Sequence, residues 1–411
     1  MQRGRMFGKR NIKGFHEIQK KYIFLRQLAN DLFFRDHLSK ARIQRMLKVS
    51  KQFVISWTDS PIQNFFADGR GWTKGNRRRW SAQTVRRIAT IHRALKSSAR
   101  EFYAGPTAIQ QRWRKLYAAD AVPPIRTIGQ ILSELGLSSP RRQTRPGKGA
   151  ARYLCYPEHT IYEALGLRLL EADFIGPRFL TGSGDPFHFL AFSFKKDPKL
   201  RYFYRVSAQN SPEFTSHCDE FFEHFEKADA VKIDNAPATI GSGSAQRTLS
   251  QVVLYLLSRQ VVPIFAVPRK PFSQASIEGN NSVFARFFWG RRQFRGPKDL
   301  DRQLEWFNQA SLRYLGYTPP TKRRSRRPFI PRVFFIRQVH EHPHTHRGYV
   351  DILNQQITLP ASYINYFVLA EWTLLNQQLT IYFEQELKQK RIKQIPFLVN
   401  PASLEGLKRV V

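Results

Sequence analysis

The spacing of apolar side chains changes several times along this chain, and each change predicts a different kind of element. From residue 14 to 60 the spacing is helical. "FHEIQKKYIFLRQLANDLF" repeats its apolar positions three and four apart, and "LSKARIQRMLKVSKQFVISW" does so in two shorter pieces. In the second stretch Ala41, Ile43 and Leu47 share a short helix, a turn follows at Val49, and Ser50 is placed to cap a helix ending near Trp57. This is the outline of a helix-turn-helix with Lys51, Gln52 and Ser56 facing outward; an ordinary helical hairpin with a solvated face has the same pattern. A second helical unit begins at Ser81. "SAQTVRRIATIHRALK", "GPTAIQQRWRKLY" and "PPIRTIGQILSELGL" predict three helices on short turns, the last opened by Pro124 and exposing Arg126, Thr127 and Gln130.

The Pro/Gly/Arg-rich segment "SSPRRQTRPGKGA" (138–150) is the clearest boundary, and beyond it the period shortens toward that of strands. "LRLLEADFIG", "FHFLAFSFKK" and "RYFYRVSAQ" predict three strands; a helix from Glu213 to Lys227, the strand "ADAVKIDN", the helix "TLSQVVLYLLSRQ", the strand "VVPIFAVP" and the helix "QASIEGNNSVFARFFWGRR" follow. Three strands and then alternating helices and strands describe an α/β domain whose sheet starts as a meander. After the basic segment "TKRRSRRPFIPR" (321–332), some five short strands at regular spacing suggest a small C-terminal β-barrel. The expected layout is thus a helix-turn-helix unit over 1–80, a second with its linker over 81–150, an α/β core over 151–320, and a linker and barrel over 321–411.

Charge changes this picture. The 411 residues carry 67 Lys and Arg against 31 Asp and Glu, a formal net charge of +36, which requires a polyanionic partner. With normal apolar content and many aromatics, double-stranded DNA is the expected partner rather than a membrane surface. "DGRGWTKGNRRRW" reads as an arm able to lie along phosphates. The two cysteines, Cys155 and Cys218, are too few and too far apart for a disulfide framework or a four-cysteine zinc site, and they fit a reducing interior. The basic N-terminus has no apolar signal core, and no run of apolar residues is long enough to span a bilayer. These features predict a cytoplasmic, nucleoid-associated protein. "HEHPHTH" (340–346) has four histidines, but Pro343 and the absence of fixed helical spacing favour a loop over a metal site.

Three acids have distinctive settings. Asp173 lies within the apolar strand "LLEADFIGP", Asp234 ends the strand in "VKIDNAPA", and Glu278 opens the helix "SQASIEGNNSVFAR". Buried carboxylates are costly without compensating cations, so acids gathered at strand ends suggest a site for a hard divalent ion such as Mg²⁺ or Mn²⁺.

These three blocks resemble those of the DDE transposases and retroviral-type integrases, which share a ribonuclease H-like core; the likeness spans roughly 160–315. Asn235 matches the residue after the second acid, and Pro271, Gln274, Glu278 and Asn281 match the order of the third block. The 43 residues between Asp234 and Glu278 exceed the usual interval, with the surplus assignable to "TIGSGSAQR", and Ala236 stands where the family often has glycine. The resemblance implies Asp173, Asp234 and Glu278 as catalytic metal ligands of a two-metal site, with Asn235, Gln274 and Asn281 behind them or positioning DNA. It also implies Lys270 and Arg286 as phosphate contacts, and Lys51, Gln52, Ser56, Arg126, Thr127 and Gln130 as contacts to element ends. The activity implied is phosphodiester hydrolysis followed by strand transfer from a 3′-hydroxyl, by a homo-multimer with possible accessory proteins including an ATPase; no Walker-type phosphate loop is present. The rival expectations are an inactive DNA-binding assembly protein and a structure-specific nuclease that does not join strands.

Overall fold

The computed structural model describes residues 12–61, 80–138, 166, 168–180, 182, 184–194, 199–241, 245–268, 274–319, 329–385 and 388–409. Contacts divide the chain into two units, 1–82 and 83–411. In the first, α1 (Ile12–Phe34), α2 (Lys40–Leu47) and α3 (Lys51–Trp57) meet around Ala29, Ile43 and Val54. Both short helices start on a serine, as the sequence suggests for the second of them. Ser39 Oγ accepts from the Arg42 amide and Ser50 Oγ from the Phe53 amide, each satisfying a donor that the first helical turn leaves free. Lys48 takes a left-handed conformation (φ 51°) that ends α2, while Lys51, Gln52 and Ser56 lie exposed on α3.

The second unit opens with α4 (Ala82–Ser97), α5 (Pro106–Leu116) and α6 (Ile125–Glu134). Arg126 and Gln130 are exposed on α6 and Thr127 is half-buried. These helices do not stand apart from the residues beyond 150, as the expected boundary would have them. Phe102 meets Phe307 edge-on with centroids 5.1 Å apart, and Tyr103 stacks on Tyr314 at 4.2 Å while its hydroxyl hydrogen-bonds Ser311 Oγ at 2.8 Å. The large apolar area of such rings is what fuses the two parts into one unit.

The meander is β1 (Leu169–Phe179), β2 (Pro186–Phe194) and β3 (Leu200–Val206). Then come α7 (Ser211–His224), β4 (Ala230–Ile233), the single turn α8 (Pro237–Ile240), α9 (Gln251–Ser258), β5 (Val262–Phe265) and α10 (Ala275–Val283). A wider-wound π-helical segment, Phe284–Trp289, continues α10, and α11 (Pro297–Leu315) follows. Within the core the strands lie in the order β3-β2-β1-β4-β5. The meander is antiparallel, and β1, β4 and β5 are parallel. The α/β core expected from the sequence is therefore present.

The C-terminal strands correct one expectation. They are β6 (Arg332–Gln338), β7 (His340–Glu341), β8 (Gly348–Ile352), β9 (Gln355–Leu359), β10 (Phe367–Thr373), β11 (Gln378–Gln385) and β12 (Lys388–Pro396), ahead of α12 (Pro401–Lys408). Among the described residues they close no barrel of their own. β6 pairs parallel with β5, and β10, β11 and β12 carry the core sheet outward to nine strands, while β7, β8 and β9 form a second, three-stranded sheet. The reason lies in β6, buried over Val333–Arg337, which needs a partner on each edge and apolar cover on each face. Val333 and Phe335 share one core with Val350, Ile352 and Ile357 from the second sheet; Phe334 and Ile336 face the opposite way, with Ile264.

Candidate active site

Alternation along β1 sends Leu170 and Ala172 into the main core, and Glu171 and Asp173 to the other face. On β4, likewise, Val231 and Ile233 enter that core, and Lys232 takes the acid face. The parallel register pairs Leu169 with Ala230 and Glu171 with Lys232. Continued by two residues, it sets Asp173 and Asp234 side by side at the carboxyl end of β4. There β1 has an antiparallel neighbour, β2, on one side and a parallel one, β4, on the other.

The helix bearing Glu278 is fastened across this face by three side-chain hydrogen bonds. Glu171 Oε2 accepts from the Ile277 amide at 2.8 Å, Asn280 Nδ2 donates to Ser193 Oγ at 2.5 Å, and Asn281 Nδ2 donates to Asp173 Oδ2 at 2.7 Å. Glu171 thus does for α10 what an N-cap residue ordinarily does, from a different element. Behind the helix Phe284 and Phe288 pack with Phe203 and Phe307.

Asp173 feels both of the other acids. Burial, and then the Asp234 charge, push the Asp173 carboxyl up to about 7; the Asn281 hydrogen bond opposes the rise and the Glu278 charge adds to it. Glu278 is itself raised by burial. Of the two neighbouring charges, that of Asp234 acts on Asp173 more strongly than that of Glu278. Among the described residues no three His, Cys, Asp or Glu side chains gather closely enough to form a ready-made metal cage. Among the described residues the site offers carboxyl oxygens, and beside them the Asn281 Oδ1, buried without a hydrogen-bond partner. Oxygen donors of this kind are the type that a hard divalent cation takes.

The remaining candidates divide. Asn281 reaches the pair directly. Gln274 is buried just ahead of α10, its Nε2 unsatisfied. Asn235 is turned away from the acids, its Nδ2 donating to the Ala266 carbonyl at 2.6 Å and its Oδ1 accepting from Arg337 Nη2 at 2.9 Å, so its side chain serves the turn rather than a ligand. Thr239 Oγ1 holds the other side of that turn, at 3.0 Å from the Asp234 carbonyl and 3.1 Å from its Oδ1. Arg286 is exposed beyond α10, while Lys270 lies outside the described residues. The histidine-rich stretch is a tight connection between β7 and β8, with His346 Nδ1 2.7 Å from Glu341 Oε1. No helix among the described residues is long and apolar enough to cross a membrane.

Sequence reasoning missed Glu171 and Arg337. The signal for Glu171 was its place two residues before Asp173, hence on the same face of the strand. Arg337 had a fainter one, a cation inside the apolar run "VFFIRQV".

No protein-family model and no curated protein matches the chain. Among solved structures, the catalytic core domain of BIV integrase overlaps 35% of this chain and 81% of its own, at 9% identity and a TM-score of 0.26. A chain of the simian T-cell lymphotropic virus intasome, solved in complex with PP2A regulatory subunit B56 gamma, overlaps 72% of this chain and all of its own, at 13% identity and a TM-score of 0.31. Both overlaps are too loose to assign a function, which has to be sought in the sheet order and the side chains themselves.

Proposed function

We propose that this chain is a DDE-type transposase or integrase that binds DNA ends, cleaves a phosphodiester and joins the freed 3′-hydroxyl to target DNA. The observation that carries this reading is the register of β1 and β4, which brings Asp173 and Asp234 together on one face, beneath the helix that holds Glu278.

Asp173 and Asp234 would hold Mg²⁺ or Mn²⁺, and Glu278 would complete the set. The chemistry such ions supply when bound is activation of the attacking oxygen and stabilisation of the leaving one. The chain itself orients the acids. Asn281 fixes one oxygen of Asp173, Thr239 one oxygen of Asp234, and Glu171 the start of the helix that carries Glu278. The large positive charge concentrates phosphates at the site, and the exposed faces of α3 and α6, with Lys51, Gln52, Ser56, Arg126, Thr127 and Gln130, are the surfaces we assign to DNA ends. Lys270 and Arg286 belong to the same reading as phosphate contacts. Two DNA ends must be held at once, so the working form is a homo-multimer; an accessory ATPase would act on target choice and not on bond chemistry.

The test is strand transfer with Mg²⁺ or Mn²⁺, using DNA from the ends of the element that encodes the chain. Joined product is expected from the wild type and its loss from Asp173→Asn, Asp234→Asn and Glu278→Gln, with duplex binding retained. Joining unaffected by these changes would overturn the reading. Cleavage without joining would favour a nuclease, and binding with neither activity an assembly protein.

A further inference from the structure

Arg337 is a cation enclosed in protein. Only 5% exposed, it lies on β6 with its side chain on the reverse of the face that carries the acids. Two of its contacts reach the residues behind the second aspartate. Nε donates to the Asp351 carbonyl at 2.9 Å, Nη1 to the carbonyls of Ala266 and Ile336 at 3.0 Å each, and Nη2 to Asn235 Oδ1 at 2.9 Å. The Ala266 carbonyl also accepts from Asn235 Nδ2 at 2.6 Å, so Arg337, Asn235 and the residue after β5 form a closed triangle.

Among the described residues every hydrogen-bond acceptor of the Arg337 guanidinium is neutral, although the nearby Asp351 charge favours the cation. A charge buried on such terms is expensive, and burial lowers its pKa to about 10, so it remains a cation at neutral pH. For apolar packing alone, leucine or methionine would fill the space without that cost. What the planar fork adds is donors in fixed directions, here spanning β6, β8, the end of β5 and the turn after β4. Asp234 and Asn235 are consecutive just past the end of β4, and the Asn235 amide bonds Arg337 on the reverse of the sheet, so a clamp on Asn235 fixes the backbone that presents Asp234.

We propose that Arg337 is a positioning residue for the Asp173–Asp234 pair, holding the Asp234–Asn235 turn from behind and making the pair's geometry depend on the C-terminal strands. The proposal rests on the reading of that pair as a cation-binding site. It assigns the strands after 329 a part in building the active site, beyond holding DNA or a neighbouring subunit.

The experiment is Mn²⁺ binding to the full-length chain without DNA, followed through the electron paramagnetic resonance signal of free Mn²⁺, with thermal unfolding of each variant measured alongside. Arg337→Met and Asn235→Leu should weaken Mn²⁺ binding about 10- to 100-fold, and Arg337→Lys by less, at temperatures where all remain folded. Should Arg337→Met not fold, Asn235→Leu decides, since it removes the link to the acid turn and leaves Arg337 its three carbonyls. Asn235→Leu and a folded Arg337 variant binding like wild type, while Asp234→Asn does not, would overturn the clamp and leave the active-site reading standing. Wild-type affinity in Asp234→Asn would overturn the site reading itself, and the clamp's purpose with it.

Discussion

The amide of Asn281 donates to Asp173 Oδ2 at 2.7 Å and, with a hydrogen bond from the Phe174 backbone, opposes the burial and the neighbouring charges that act on that carboxyl. Burial and the neighbouring Asp234 favour the protonated form, whereas a donated hydrogen bond favours the ionised one. Asn281→Ala should therefore move the Asp173 carboxyl above about 7. We expect Mn²⁺ affinity at pH 7 to fall about 10- to 100-fold, with part of the loss recovered at pH 8.5, as a titration at both pH values would show.

A raised carboxyl also makes stability depend on pH. The folded chain holds the Asp173 proton up to about 7, whereas the unfolded chain releases it near the ordinary aspartate value of 3.8. Between those values the native state binds more protons, so this group's stabilising effect is complete below 3.8 and is lost as pH rises through 7. The metal-free wild type should lose stability on this account from pH 4 to pH 8, by a few kcal/mol at most. Denaturant midpoints for Asp173→Asn should lack that component, and adding Mn²⁺ at pH 8 should restore stability to the wild type alone.

Glu171 is 1% exposed and caps the helix of Glu278 from the neighbouring strand. Glu171→Ala leaves the Ile277 amide buried without its acceptor, a loss of about 1–3 kcal/mol. Lys232, 2% exposed and in register with Glu171, would lose a neighbouring opposite charge as well. Glu171→Gln retains an acceptor oxygen and should cost less, so comparing thermal midpoints separates the cap from the charge.

The excess of positive charge predicts steep salt dependence. If six to ten phosphates are neutralised, duplex affinity should fall by about 10³–10⁵ between 50 and 200 mM salt. Arg126→Ala, on the exposed face of α6, should lower the slope of log affinity against log salt by about one if it contacts a phosphate, and fluorescence anisotropy across a salt series measures this.

Much of this was legible in the chain. Apolar runs of the right length gave the meander and the parallel strands, Ser50 announced its helix start, and the three acids stood within an apolar strand, at a strand end and at a helix start, where their type alone is informative. What periodicity could not reveal is which strand pairs with which. "VFFIRQV" reads the same whether β6 opens a separate barrel or extends the core sheet, because pairing is decided by whichever edge is left open, here that of β5. Asn235 had the right type and neighbour, but its type did not name its partners, and its amide meets Arg337 and the Ala266 carbonyl. The interlocking of Phe102 and Tyr103 with α11 was hidden for a related reason, since two amphipathic surfaces do not name each other in sequence.

The shared sheet has a practical consequence for dissecting the molecule. A fragment ending before β6 would bare the backbone edge of β5, whose residues Val262–Phe265 are all buried. Unpaired apolar edges recruit strands from other chains, so such a fragment should self-associate or precipitate even though the acids remain in its sequence. An inactive core fragment would then report on an open seam rather than on a missing catalytic group.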